Sequence, residues 1–130
     1  MTTELAYLTL VAALTGLLWI PYILNVVAVR GLLDAVGYPE NPKPMAGWAT
    51  RLKAAHLNAV ENLVVFAALV LVAQDVDVHN GATVLACVIY FWARVVHLVA
   101  YTFRVPWVRT LSFVVGFVCQ MTLAWQIINA

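Results

Sequence analysis

Charged side chains are scarce in this sequence, which contains seven Lys and Arg residues and six Asp and Glu residues. They make up 10% of the chain and apolar residues make up 65%, whereas a soluble domain is typically about 25% charged and about 45–50% apolar. The composition therefore excludes an ordinary soluble globular domain. The chain also has no glycine-rich nucleotide loop and no nucleic-acid-binding motif, so we predict no nucleic-acid partner.

Cysteine is equally rare. Cys87 and Cys119 are the only two, and both fall inside long apolar segments. We predict that they are free buried thiols, which behave as small apolar side chains. Neither their number nor their spacing indicates a disulfide framework or a metal site.

Long apolar runs dominate the sequence instead. No charged residue occurs from Leu5 to Val29 or from Thr110 to Ala130, and each run exceeds the roughly 20 residues that a helix needs to cross the hydrocarbon core. The first run lacks the basic segment that precedes the apolar core of a signal peptide, so we interpret it as a permanent span. We predict an all-α integral membrane protein with one four-span domain over residues 1–130, an up-down bundle with helices at about 5–33, 47–73, 81–103 and 107–128.

The basic residues predict an orientation for this bundle. All seven lie in or near the first and third connections, whereas the second connection carries Asp75 and Asp77. The positive-inside rule then places the first and third connections in the cytoplasm and both termini outside. In a bacterial cell the protein would occupy the inner membrane.

The second predicted helix carries an unusual polar stripe. The segment Arg51–Phe66 reads RLKAAHLNAVENLVVF, and Asn58, Glu61 and Asn62 share one face of the helix at 100° per residue. A carboxylate in a lipid-embedded helix costs at least about 2.5–3.5 kcal/mol on insertion scales and usually faces protein or a wet cavity. The stripe is therefore predicted to face the interior of the bundle.

Glu61 has one matching cation in the third predicted helix. It lies ten residues after Arg51, which is about 15 Å along the helix axis. Arg94 lies nine residues before Phe103, at a similar depth from the same membrane face. We therefore predict a structural Glu61–Arg94 ion pair between the two helices.

Further polar residues lie between this predicted pair and the basic side of the membrane. Together they form a net positive region that suits a small, anionic, hydrophilic ligand. The residues alone leave a second interpretation equally open, in which the region is only a structural polar seam between helices. Its members are Arg30, Lys53, His56, Asn58, His97, Tyr101 and Arg109.

Three segments resemble one known family. RLKAAHLNAVENLVVF is similar to the second-helix motif of the superfamily of membrane-associated proteins in eicosanoid and glutathione metabolism (MAPEG), an Arg followed by His-x-Asn-x-x-Glu and an apolar run with Phe. ARVVHLVAY is similar to its third-helix motif, and PWVRTLSFVVGF to the start of its fourth helix. The sequence resembles microsomal glutathione transferases most, then membrane prostaglandin E synthases.

The resemblance implies a homotrimer of four-helix subunits that binds glutathione between subunits, on the cytoplasmic side. By the matching positions, Arg109 lies beside the glutathione thiol and is the catalytic residue. The thiolate is the nucleophile, and a nearby guanidinium favours it over the thiol. The implied activity is a detoxifying glutathione transferase or peroxidase that acts on lipophilic electrophiles or lipid hydroperoxides from the bilayer. The implied glutathione-binding residues are Arg30, Lys53, His56, Asn58, Glu61, His97, Tyr101 and Thr110.

The sequence departs from the family pattern at Ala54, where members usually carry a further arginine. This change removes a contact to a glutathione carboxylate. Two other functions remain open, and this change slightly favours the first. One is a non-catalytic scaffold of the same fold that binds lipid or a partner. The other is a small transport subunit, which is disfavoured because the charged residues cluster toward one side of the membrane instead of forming a path across it.

Overall fold

The computed structural model describes all 130 residues, and its regular secondary structure is entirely helical. Four helical segments are long and apolar enough to cross a membrane, which confirms the predicted all-α membrane fold. The first of them combines α1 and α2, and the others are α4, α5 and α6. The helices are α1 (Thr3–Leu17), α2 (Trp19–Arg30), α3 (Leu32–Val36), α4 (Gly47–Asp75), α5 (Gly81–Thr102) and α6 (Pro106–Ile128).

The first predicted helix, placed at about residues 5–33, is divided into three pieces. It is interrupted at Leu18, whose N–H bonds weakly to the carbonyl of Thr15 at 3.4 Å. Pro21 explains this break, because its missing N–H cannot pair with the carbonyl four residues earlier. A second break occurs at Gly31, where φ is +82° and α2 gives way to the short α3. Such a positive φ suits glycine, which has no Cβ to clash.

Asn25 lies one turn after Pro21 and connects α2 to the next span. Its Oδ1 accepts a hydrogen bond from the backbone N–H of Ala46 at 3.0 Å. Ala46 is the N-cap of α4, so this bond satisfies one of the free N–H groups at the start of that helix. The entry of α4 is thereby positioned against α2.

Helix α5 lies at the centre of the packing and contacts α1, α4 and α6, most extensively α6. The aromatic rings of Phe66 and Tyr90 stack between α4 and α5, with centroids 3.9 Å apart and planes at 11°. Cys87 and Cys119 are free and buried in the same apolar core, as predicted. The outer surface is apolar as well: Val64 is 68% exposed and Trp107 is 77% exposed. A surface of this kind requires lipid as its solvent.

A buried carboxylate fastens the end of the bundle where α1 begins. Glu4 is only 5% exposed and accepts a hydrogen bond from Thr83 Oγ1 at 2.7 Å. His79 Nδ1 lies 2.7 Å from the same carboxylate, in the only salt bridge within the chain. These contacts join α1 to the start of α5 and to the preceding connection. Glu4 was not among the residues for which the sequence predicted a partner.

Candidate functional site

A buried polar stripe runs along α5. Tyr90, Arg94 and His97 are 1%, 5% and 2% exposed, and their spacing of four and three residues places them on one face. Tyr90 Oη, Arg94 Nε and His97 Nδ1 have no hydrogen-bond partner in the chain. Buried polar atoms are normally paired, so a stripe with three unpaired atoms is typical of a site that binds water or a ligand.

The predicted Glu61–Arg94 ion pair is wrong. Arg94 Nη2 instead donates to Asn58 Oδ1 at 2.7 Å, and Glu61 lies exposed on the surface of α4. Residues three apart on a helix differ by about 60° in direction, so Asn58 and Glu61 cannot both point straight at α5. The packing turns Asn58 inward, and Arg94 has no carboxylate partner in the chain.

The Arg94–Asn58 bond belongs to a polar layer that joins three helices. Asn62 Nδ2 donates to Asn58 Oδ1 at 3.2 Å and to the Asn58 carbonyl at 2.9 Å. Gln120 of α6 then donates from Nε2 to the Asn62 carbonyl at 3.1 Å. Gln120 was not singled out in the sequence analysis, although an amide within an apolar span is a recognisable signal. The layer crosslinks α4, α5 and α6.

A cavity of about 190 Å³ opens above this layer, toward the end of the bundle where α6 begins. We call it the thiol cavity, after the thiol that the family resemblance implies beside Arg109, one of its lining residues. Arg109 Cζ lies 5.1 Å from the centroid of the Tyr101 ring, a cation–π geometry that holds the guanidinium in place. The His97 ring packs edge-on against Tyr101, with ring centroids 5.7 Å apart. The lining residues are Asn58, His97, Tyr101, Arg109, Thr110 and Phe113, of which all except Phe113 were predicted site residues.

A second, larger cavity of about 280 Å³ adjoins the thiol cavity and shares Tyr101 and Arg109 with it. Arg51 and Arg104 complete its polar lining. Neither arginine was among the predicted site residues. No acidic side chain lines either cavity.

The remaining predicted site residues lie elsewhere on the chain. His56 Nδ1 lies 2.8 Å from the hydroxyl of Tyr22, on the side of α4 that packs against α2. Arg30 donates from Nε to the carbonyl of Lys43 at 2.7 Å. Lys53 and Glu61 are exposed. The chain therefore gathers five predicted residues at the thiol cavity, and these four do not line it.

The family is decided by a comparison of the whole chain with family models. The model of the MAPEG family matches residues 8–129, which include most of the first span, all of α4, α5 and α6, and every residue of both cavities. The chain belongs to the MAPEG family. This confirms the resemblance noted in the second, third and fourth helices. No curated protein matches the chain.

The family provides a ligand with which the lining of the two cavities can be compared. The protein is an integral membrane protein of a family that acts in eicosanoid and glutathione metabolism and whose members use glutathione. Glutathione carries two carboxylates, an amine and a thiol. The two cavities offer guanidinium groups, an imidazole and hydroxyl groups with no competing acid, which fits a ligand of this kind.

Proposed function

We propose that the protein is a glutathione-dependent membrane transferase or peroxidase that activates the glutathione thiol against lipophilic electrophiles or lipid hydroperoxides. One observation carries this proposal: the fold brings Arg109, Tyr101 and Thr110 of two helices together with Asn58 and His97 in one cavity. These residues come from three separate motifs of the chain. A purely structural seam does not require a cavity at their meeting point.

Arg109 is the residue that activates the thiol. A thiol with a pKa near 8.5 is mostly protonated at neutral pH, and an adjacent guanidinium stabilises the reactive thiolate. Arg109 lies in the first turn of α6, where the partial positive charge of the helix end adds to its own. Its stacking on Tyr101 restricts the guanidinium, and the hydroxyl of neighbouring Thr110 supplies a further donor to the sulfur.

His97 and Asn58 hold the polar part of the tripeptide. His97 lines the cavity, where its imidazole can form a hydrogen bond to a polar atom of the ligand. Asn58 is held in position by its bond to Arg94. The buried, unneutralised charge of Arg94 also makes this region attractive to an anion.

A second copy of the chain completes the site. Glu61 is an exposed carboxylate about 15 Å along α4 from Arg51, a depth at which contact with lipid is costly. A homotrimer covers Glu61 at a subunit interface, where it accepts a hydrogen bond from the glutathione amine. In the same assembly the group formed by Arg30, Lys53 and His56 of one subunit meets the thiol cavity of the next and binds the carboxylates.

The lipophilic substrate reaches the thiolate from the bilayer. Phe113 lines the thiol cavity and is itself 39% exposed on the apolar outer surface of α6. The cavity therefore adjoins a lipid-facing surface. A hydrophobic electrophile can enter at this point while glutathione enters from the side of the membrane that carries the basic residues, which we propose to be the cytoplasm.

The proposal is tested by the ultraviolet absorbance of thiolate on adding glutathione to the purified protein at neutral pH. We expect a thiolate signal in the wild type and its loss in Arg109→Ala. Lys43→Ala, which removes a basic side chain from the first connection, should keep the signal. A full signal in Arg109→Ala would rule out the assigned role of this arginine.

The second candidate is a non-catalytic scaffold, favoured by Ala54 and by the bonds that occupy Arg30 and His56 within the chain. Calorimetry separates it from the enzyme. Glutathione binding without thiolate formation would indicate a structural or regulatory ligand. No glutathione binding would leave the scaffold as the function to pursue.

A further inference from the structure

Three arginines converge on the larger cavity, which we call the arginine cavity. Arg51 comes from the start of α4, Arg104 from the α5–α6 turn and Arg109 from α6. Its volume is about 280 Å³, and its other lining residues are uncharged. Guanidinium groups stay protonated in proteins, so three of them around one space repel each other until an anion enters.

Two of these side chains are fixed by contacts that leave donors free. Arg51 donates from Nε to the carbonyl of Thr102 at 2.8 Å, which ties it to the last turn of α5 and leaves its Nη nitrogens for a ligand. Arg109 is held on the Tyr101 ring by the contact already described. A site that is positioned before binding loses less entropy when it binds.

Arg104 occupies a backbone position that normally belongs to glycine. Its φ is +62°, and the bonds from Val105 N to Ala100 O at 2.9 Å and from Arg104 N to Tyr101 O at 3.4 Å form the helix-ending Schellman motif. A side chain at this φ carries a steric cost that glycine avoids. Here the chain accepts that cost and lines the cavity with a guanidinium.

The arginine cavity lies at the level of the membrane interface. The last residue of α5 is Thr102 and the first of α6 is Pro106, so the cavity sits where two spans end. Phe103 and Trp107, which flank this turn, are 69% and 77% exposed. Exposed aromatic residues at the ends of spans are typical of the headgroup level.

We propose that the arginine cavity binds a phosphate group. Guanidinium groups pair with phosphate oxygens through paired N–H donors, and basic pockets at the ends of transmembrane helices bind lipid headgroups. The phosphate belongs either to an anionic phospholipid or to a soluble phosphate compound. The proposal does not depend on glutathione chemistry and is tested in the absence of glutathione.

The first experiment measures phospholipid binding. The protein is placed in nanodiscs of phosphatidylcholine with or without one-fifth phosphatidylglycerol, and native mass spectrometry counts the retained anionic lipid. Because each basic residue near a membrane surface contributes about 1 kcal/mol, Arg51→Gln and Arg104→Gln should each weaken binding about fivefold. Lys43→Gln removes the same charge from the first connection, outside the cavity, and should bind as the wild type does.

A second variant separates binding from folding. Arg104→Gly removes the guanidinium and also relieves the positive φ, so its unfolding temperature should equal or exceed that of the wild type. Its affinity should nevertheless fall as far as that of Arg104→Gln. This combination cannot arise from misfolding.

The source of the phosphate is identified with inorganic phosphate as the second probe, in phosphatidylcholine nanodiscs at constant ionic strength. Stabilisation by inorganic phosphate that Arg104→Gly abolishes would indicate a soluble anion. If the protein retained phosphatidylglycerol but was not stabilised by inorganic phosphate, and if Arg104→Gly abolished that retention, the ligand would be a lipid headgroup. Either result supports the phosphate site. If Arg51→Gln and Arg104→Gly bound both probes as well as Lys43→Gln does, the phosphate site would be overturned.

Discussion

The bond between Arg94 and Asn58 offers the sharpest test of how the bundle is held together. Arg94 is 5% exposed and has no carboxylate partner, so the amide oxygen of Asn58 is its only side-chain acceptor. Asn58→Ala would leave Nη2 unpaired in addition to Nε, which already lacks a partner. A buried charge that loses its partner is strongly destabilising, so we expect a large effect from one amide.

The magnitude follows from the bonds lost. A hydrogen bond to a charged group contributes about 1.5–3 kcal/mol, and the neutral bond from Asn62 adds about 0.5–1 kcal/mol. Asn62 keeps its bond to the Asn58 backbone carbonyl in the variant. Asn58→Ala should therefore lower the free energy of unfolding by about 2–4 kcal/mol.

Two matched variants isolate the charged bond. Asn62→Ala leaves Arg94 paired and should cost about 0.5–1.5 kcal/mol. Asn58→Asp replaces the amide with a carboxylate and supplies the missing countercharge, so it should be clearly more stable than Asn58→Ala.

The assay is unfolding of the purified protein by sodium dodecyl sulfate, followed by circular dichroism at one protein concentration without glutathione. Keeping the concentration constant matters because assembly contributes to apparent stability. If Asn58→Ala lost no more stability than Asn62→Ala, the Arg94–Asn58 bond would not stabilise the bundle, and our account of the polar layer would be refuted.

Two further predictions concern other parts of the bundle, and both are read from thermal unfolding. Glu4→Ala removes the acceptor of Thr83 and His79 and should cost about 1.5–3 kcal/mol of unfolding free energy. Glu4→Gln keeps an acceptor oxygen and should lose less than half as much; an equal loss would show that an uncharged acceptor cannot replace the carboxylate. Gly116→Ala places a Cβ at an ordinary 3.6 Å from the Tyr90 ring and should stabilise α6 by up to about 1 kcal/mol, while Gly116→Leu should destabilise it by about 1–3 kcal/mol through overpacking. Similar effects of Ala and Leu at Gly116 would contradict the close approach of α5 and α6.

Most of the architecture follows from local sequence properties. The apolar runs predicted the four spans because a membrane helix satisfies its own backbone hydrogen bonds, so hydropathy and length suffice to find it. The motif residues Asn58, His97, Tyr101 and Arg109 were also recognised from the chain. The break at Leu18 was not predicted, although Pro21 lies three residues later. A proline indicates a kink without fixing the residue at which the helix is interrupted.

The pairing of side chains was less predictable. The partners of Glu4 could not be found from the sequence, since His79 and Thr83 are 75 and 79 residues away and become its neighbours only through the packing of α1 against α5. Arg51 and Arg104 looked like topology signals for a similar reason. They converge only because α4 begins beside the α5–α6 turn.

The sequence by itself determined that this is a four-span MAPEG protein and which residue types it carries within the membrane. The tertiary structure decided which of them meet. Depth along a helix can be counted from the sequence, and it correctly placed Arg94 at about the level of the second-helix polar stripe. The rotation of a helix about its axis is set by the packing of all its faces at once. That rotation turned Asn58 toward Arg94 and left Glu61 on the surface.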